Sequence, residues 1–535
     1  MSWHLKDIIL LFVMGTSAAD NVKQLDYTSY LGYDQGDGVS FWKGIRFAAA
    51  PVGELRFAGP QDPPATKDIQ DATAHRPICI ATGSYPIPDG QSEDCLFLDV
   101  YAPTKASNLP VFVWIPGGGY NSIANANYDG TGLIKASGHN IVVVTINYRV
   151  GPYGFLASKE VQRNGSLNNG LKDIIQALEW VQKHIATFGG DPSHVTVGGD
   201  SAGGDAITLL LSSYGGSGKL TSLLHAAAVE SPSLGSLATV EESKFVYDNL
   251  TIRTGCAASK DTFGCLRNLD IDTLQKENYN IPFPNASLPP IYLYRPTIDN
   301  DLVTDHTYRL FGQGKFIKIP VIFGFDSNEG TIFTPHHIST IDQADQFIQA
   351  NFPTIQKVQL DKVNSMYMSE PDNPVYERTG KYWQGVSNAY GEIRYICPAI
   401  YILSAYSGDS ATINSNWGYH YAVLDSDAVT SGYGTTHTIE VNAIWGPQYV
   451  SAKPPASYST SNGEIVPLMQ QYWTSFIRSY NPNTYRAAGS PKWQPWGDGY
   501  KQMFIQTGDT RMIAVSDDQK TRCKYLQSIA QDLAQ

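Results

Sequence analysis

Basic clusters, internal repeats, Cys-x-x-Cys or His-x-x-x-His spacings and bilayer-length apolar runs are all missing from this 535-residue chain. Each absence removes a class of function. With no basic patch and a formal net charge of -12, the chain repels nucleic-acid phosphates and anionic membrane surfaces. Without zinc-type spacing, the six cysteines are not a metal framework. No hydrophobic C-terminal tail is present, so no stable membrane anchor is expected. No linker-like change of composition divides the chain either, and residues 20–535 read as one large domain with insertions. The expected partner is a small molecule, with no metal or organic cofactor; oligomeric state is not legible.

What is present begins with a short apolar run at 8–13, preceded by Lys6 and followed by the small residues Ser17, Ala18 and Ala19. That pattern predicts a cleaved export signal at 1–19. Six cysteines suit an oxidising compartment. Spacing pairs Cys256 with Cys265 and closes a short loop from Cys79 to Cys95, which leaves Cys397 with Cys523 by elimination. Asn-x-Ser/Thr acceptors for glycans stand at Asn164, Asn249 and Asn285.

The chain is organised around residues 195–204, VTVGGDSAGG. β-Branched residues lead in, and the apolar run 206–211 follows as a helix would. Gly-x-Ser-x-Gly in a strand–turn–helix setting is the nucleophile elbow, whose small residues permit the turn that lifts Ser201 out of the sheet.

Elsewhere, alternating aromatic segments at 39–57 predict an antiparallel opening. Continuous apolar runs at 95–101, 111–115, 141–148, 224–230 and 319–325 predict strands covered on both faces, with later strands at 417–424 and 503–506, the last of the chain. Helices are expected at 171–188, with Leu171, Ile174, Ile175, Leu178, Val181 and Ile185 on one face, and at 465–478. The stretch 231–318 reads as a turn-rich insertion, 340–405 as a helical cap or side subdomain, and 454–463 as a loop. Strands interleaved with helices indicate an α/β fold with a mainly parallel sheet.

A serine hydroxyl needs a base, and the base needs an acid to hold its tautomer. The partners should follow in chain order, acid then histidine, on loops beyond strand ends. Both Asp326 and Glu329 lie after the 319–325 strand, and position alone leaves them competing. His437 stands in a glycine-rich loop after 417–424. His420 lies inside that strand, where a core role is expected, and His336-His337 reads as a solvated turn. Gly117, Gly118 and Gly119 follow a buried strand and can turn two N–H groups toward an oxyanion, with Ala202 N–H a third. Tyr120, Tyr153, Phe155 and Trp445 are candidate pocket aromatics.

These residues resemble the type-B carboxylesterase and lipase family of the α/β-hydrolase fold, which includes cholinesterases and fungal secreted esterases. The likeness rests on KGIRFAAAPVGELRF at 43–57, SEDCLFLDVY at 92–101, NYRVGPYGFL at 147–156 and the block 168–204. It implies a mainly parallel sheet flanked by helices, and a secreted serine esterase acting on ester substrates through an acyl-enzyme. In the same family pattern Ser201 is the nucleophile, Glu329 rather than Asp326 the acid, and His437 the base in a G-x-x-H-x-x-E context ending at Glu440. Gly118, Gly119 and Ala202 would be the oxyanion donors, and Ser231 a serine supporting the acid. The three cysteine pairs match family pairings. Asp200 replaces the usual Glu before the serine, and Pro116 stands where many members carry His. The 79–95 loop is short and holds Tyr85 with no choline-binding tryptophan, which favours an esterase over a lipase and disfavours choline esters. An acyltransferase or lactone-forming enzyme would use the same triad; a non-catalytic adhesion relative would be expected to lack the serine.

Overall fold

The computed structural model describes residues 21–369 and 373–535; the export segment read at 1–19 lies outside them. Eleven strands form the main sheet. In chain order they are β1 (Tyr33–Asp34), β2 (Val39–Arg46), β3 (Phe97–Pro103), β4 (Leu109–Ile115), β5 (Val142–Ile146), β6 (Gly190–Asp200), β7 (Ala226–Glu230), β8 (Val321–Asp326), β9 (Asn416–Tyr421), β10 (Lys501–Ile505) and β11 (Arg511–Ala514). Their spatial order is β11-β10-β9-β8-β7-β6-β4-β5-β3-β2-β1. From β10 across to β5 every neighbouring pair is parallel, while β11 at one edge and β3, β2 and β1 at the other pair antiparallel.

The continuous apolar runs have a simple cause. Side chains alternate faces along a strand, and both faces of this sheet are covered. Val111, Val113 and Ile115 of β4 point into one buried cluster with Val195, Val197, Val229 and Phe323. Phe112 and Trp114 point into another with Ala226, Ala228, Ile322, Tyr419 and Trp473. Helix α1 (Asn169–His184) buries Leu171, Ile174, Ile175, Leu178 and Val181 in the first cluster, with Ile185 continuing that face. Helix α2 (Ser201–Gly216) follows β6 directly, so the parallel strands all open their C-terminal ends on the edge where α2 begins.

Several expectations need correction. Beyond Arg46 the opening segment leaves the sheet, and Gly53–Leu55 forms a 3-10 turn. The stretch 231–318 is not merely turns, because it holds the helices Val240–Arg253, Thr262–Asn268, Ile271–Lys276 and Thr307–Gly312. Thr239 caps the first of these reciprocally with Glu242, a local signal for a helix start. The last strand is β11 rather than 503–506, and a helix, Asp517–Ser528, follows it. The described parts of 340–405 are mainly helical, with the helices Ile341–Asn351, Lys357–Tyr367, Trp383–Gly391 and Cys397–Ser407 and a π-helical turn at Glu392–Ile396. All three cysteine pairs, Cys79–Cys95, Cys256–Cys265 and Cys397–Cys523, are disulfides.

One buried ion pair ties the loop after β5 to α1. The Arg149 guanidinium donates from Nε to Asp173 Oδ2 at 2.8 Å and from Nη2 to Oδ1 at 2.7 Å, and both side chains are buried. Removing one partner leaves the other charge uncompensated. Asp173→Ala is therefore expected to cost about 3–5 kcal/mol in urea unfolding, and the double change Arg149→Met with Asp173→Leu should recover much of that loss.

Candidate active site

Ser201 is the first residue of α2, directly beyond the last residue of β6, and its φ is +52°. That left-handed conformation is costly for a residue with a side chain, and it persists where the surroundings dictate it. Here the dictating contact is steric: a Cβ at Gly203 would sit 2.0 Å from the Ile115 carbonyl oxygen at the end of β4. The first turn of α2 therefore packs bare against β4. The Ser201 carbonyl accepts from Ser233 N–H at 3.0 Å, and only 6 % of Ser201 is exposed.

The loop that continues β4 is held by its carbonyls. Gly117 C=O accepts from Ala124 N–H, and Gly118 C=O from the N–H groups of Asn121 and Ser122. In a trans peptide the N–H points opposite to the C=O, so the N–H groups of Gly118 and Gly119 turn away from that loop. Neither finds an acceptor among the described residues. Gly118 takes φ +124°, and a Cβ there would meet Ser122 O at 2.1 Å. Gly117 N–H instead donates to Asp200 Oδ1 at 2.9 Å, while Asn125 Nδ2 donates to Oδ2. Ala202 N–H lies in the first turn of α2, where N–H groups lack helical partners.

Glu329 follows β8 by three residues and is 1 % exposed. Its Oε1 accepts from Asp326 N–H at 2.8 Å and its Oε2 pairs with His437 Nδ1 at 2.5 Å. The loops carrying the two residues are stitched together: Asn328 N–H donates to Thr435 O, Thr435 N–H to Asn328 Oδ1, and Thr331 Oγ1 to Tyr433 O. The His437 ring lies against Tyr395 at 4.3 Å and edge-on to Phe333 at 5.1 Å between centroids. With the carboxylate on Nδ1, the proton belongs on that nitrogen and Nε2 is left as an acceptor. Nε2 is buried and has no hydrogen-bond partner among the described residues.

The competing acid Asp326 turns elsewhere. Its Oδ2 lies 3.4 Å from Ser231 Oγ, which is also 3.3 Å from Glu440 Oε1. Ser231, read from the sequence as a support for the acid, thus serves the Asp326–Glu440 pair and not Glu329. Burial, with the neighbouring Glu440 and Glu329 charges, pushes Asp326 well above the usual carboxyl range. Burial likewise raises Glu440, which accepts from Tyr419 OH at 2.8 Å. Glu230 is raised by burial, then by Glu440 and Asp200, and accepts from Trp473 Nε1 at 2.8 Å. Asp200 is pushed up to about 7 by burial, against the opposing pull of His437. Sequence reasoning missed Glu230 and gave Glu440 no role, although an acid closing the buried run AAAVE was a signal.

His420 is the core histidine expected: Nε2 meets Ser327 Oγ at 2.7 Å between Phe325 and Phe504, and burial pushes it down to about 4. The His336-His337 pair does form a turn with His337 exposed, but His336 is not free in solvent, since its Nε2 meets Tyr433 OH at 2.9 Å and its ring stands edge-on to Trp383. Among the pocket aromatics, Trp445 belongs to the core on the opposite face, 5.3 Å from Trp114. Tyr153 bonds Gln275 and Phe155 packs on Tyr120, whose hydroxyl donates to Asp205 at 2.7 Å. The rings that do border the site are Phe333, Tyr395 and Tyr292, the last of which would collide at 2.2 Å with any Cβ on Gly119.

Asp200 holds its proton more tightly in the fold than in an unfolded chain. Its contribution to stability is therefore full at low pH and is lost as pH rises from near 3.8 through about 7. Asp200→Asn is expected to flatten the fall in urea-unfolding free energy across that window, by about 4 kcal/mol at most; a slope unchanged from wild type would contradict it.

The family model described as "Carboxylesterase family" matches residues 29–526. A protein named "Secreted lipase 4" from Gibberella zeae is 30% identical over 89% of this chain and 85% of its own length. One named "Para-nitrobenzyl esterase" from Bacillus subtilis is 29% identical over 84% of this chain and 88% of its own. The crystal structure of Aspergillus niger EstA superposes with a TM-score of 0.93 at 39% identity, covering 96% of this chain and 99% of that one.

Proposed function

The chain belongs to the carboxylesterase family and is a carboxylic ester hydrolase; we propose that it works through an acyl-enzyme on Ser201, with His437 as base and Glu329 as the acid that holds it. The observations that support this reading are the His437 imidazole, pinned at Nδ1 by Glu329 with a bare Nε2, the left-handed elbow backbone of Ser201, and two glycine N–H groups without acceptors among the described residues.

Ser201 Oγ adds to the ester carbonyl as its proton passes to His437 Nε2, and the imidazolium is stabilised by the Glu329 carboxylate. The developing oxyanion takes hydrogen bonds from the N–H groups of Gly118, Gly119 and Ala202, which are aimed in advance and need no reorganisation. Collapse expels the alcohol, which receives the proton from His437. Water, deprotonated by the same imidazole, then releases the acid and restores the serine. A short loop between Cys79 and Cys95 favours small soluble esters over lipid droplets.

The same reading makes 1–19 an export signal and 20–535 one secreted catalytic domain. Asn164 and Asn285 are exposed and suited to carry glycans. Asn249 is half-buried in a helix with its amide bonded to Phe245 O, which disfavours a glycan there.

Turnover of aryl acetates and butyrates by wild type, Ser201→Ala and His437→Gln tests the assignment. Each substitution is expected to lower kcat by about 10⁴-fold or more, with KM little changed. Gly118→Ala keeps the backbone N–H but displaces it, since a Cβ there would meet Ser122 O at 2.1 Å, and should cost about 10²–10³-fold. Rates in Ser201→Ala equal to wild type would refute the mechanism.

A further inference from the structure

Gly117, Gly118 and Gly119 stand in a row, and a run of glycines has no backbone preference strong enough to hold two N–H groups at a fixed angle. Each end of the run is bonded to the segment that bears Ser201. At the start, Gly117 N–H donates to Asp200 Oδ1 at 2.9 Å, in the residue before the serine. At the far end, Tyr120 OH donates to Asp205 Oδ2 at 2.7 Å, and Asp205 lies one helical turn beyond Ser201 in α2. The glycines whose N–H groups lack acceptors lie between these two attachments.

Tyr120 has φ +60° and is 3 % exposed. A residue with a side chain is held in that region by its surroundings. Here these are the Phe155 ring at 4.9 Å between centroids, Gly151 N–H, which donates to Tyr120 O at 2.7 Å, and the Asp205 carboxyl. Asp205 is buried as well. Burial favours its neutral form, while the Tyr120 hydroxyl and the Arg394 guanidinium, which borders the same small cavity, favour the charged one. A charged acceptor makes the stronger hydrogen bond. Arg394 in turn donates from Nε to Ser233 Oγ at 2.8 Å, and Ser233 N–H bonds the Ser201 carbonyl.

From this arrangement we propose that Asp205 is a positioning residue of the oxyanion site: through the Tyr120 hydroxyl it fixes the far end of the glycine run to the helix that carries the nucleophile. The inference rests on the Ser201 mechanism above and concerns its oxyanion step. Two attachments, one on each side of Gly118 and Gly119, set the N–H groups relative to Ser201, and donors of this kind act only when aimed in advance.

Turnover of para-nitrophenyl acetate and inhibition by a short alkyl trifluoromethyl ketone test this. Ser201 Oγ adds to the ketone carbon, the carbonyl electron pair moves onto oxygen and the serine proton passes to His437, so the hemiketal oxyanion reports donor geometry. The matching methyl ketone, which stays a planar carbonyl, reports ground-state binding. Tyr120→Phe keeps the ring on Phe155 and removes the hydroxyl. It is expected to lower kcat and trifluoromethyl ketone affinity by about tenfold each, with KM and methyl ketone affinity unchanged within about twofold. Asp205→Asn, which keeps a neutral acceptor, should lose less, and the double variant no more than Tyr120→Phe alone. The ratio of the two ketone affinities is read within one preparation, so partial misfolding does not imitate the effect. A kcat loss below about threefold in Tyr120→Phe, equal losses for both ketones, or losses that multiply in the double variant overturn the inference. A wild type inactive on the ester and indifferent to the trifluoromethyl ketone would instead remove the Ser201 reading, and the inference with it.

Discussion

The first turn of α2 rests directly on the end of β4, with only a hydrogen at Gly203 facing the Ile115 carbonyl. This contact fixes how far Ser201 rises from the sheet and forces its backbone into the left-handed region. It also brings the loop leaving β4 beneath the elbow, where Asp200 fastens Gly117 from the other side. Ser201 and the glycine loop are thus one rigid unit, and the N–H groups of Gly118 and Gly119, without acceptors among the described residues, inherit their direction from it.

Electrostatics around that unit are dominated by burial. Asp200, Glu230, Asp326, Glu329 and Glu440 are all withdrawn from water at the C-terminal edge of the parallel strands. Like charges this close cannot all ionise. Glu329 pairs with the imidazole, while Asp326 and Glu440 are raised by burial and linked by Ser231, with Tyr419 donating to Glu440. The environment therefore divides five similar groups into one partner for His437 Nδ1 and four whose carboxyls burial raises.

Much of this was legible in the residues. Strands buried on both faces announce themselves as continuous apolar runs, so the parallel core could be placed within a few residues, and the spacing of Leu171, Ile174 and Leu178 marked α1. The choice between Asp326 and Glu329 was not decidable from loop position, because both follow β8 closely; what separates them is the stitching of Asn328 to Thr435, a long-range contact that no local pattern encodes. Trp445 was misplaced for a related reason: a large aromatic after the His437 loop looks like a pocket wall until the sheet assigns it to the opposite face.

In the proposed mechanism Ser201, His437 and the N–H groups of Gly118, Gly119 and Ala202 act on one tetrahedral centre. A crystal structure of the protein after reaction with an alkyl fluorophosphonate tests it directly. Phosphorus is expected on Ser201 Oγ, with a phosphoryl oxygen within about 3 Å of those three N–H groups and His437 Nε2 on the opposite side. A phosphoryl oxygen directed away from Gly118 and Gly119, or a label on any residue other than Ser201, would contradict it.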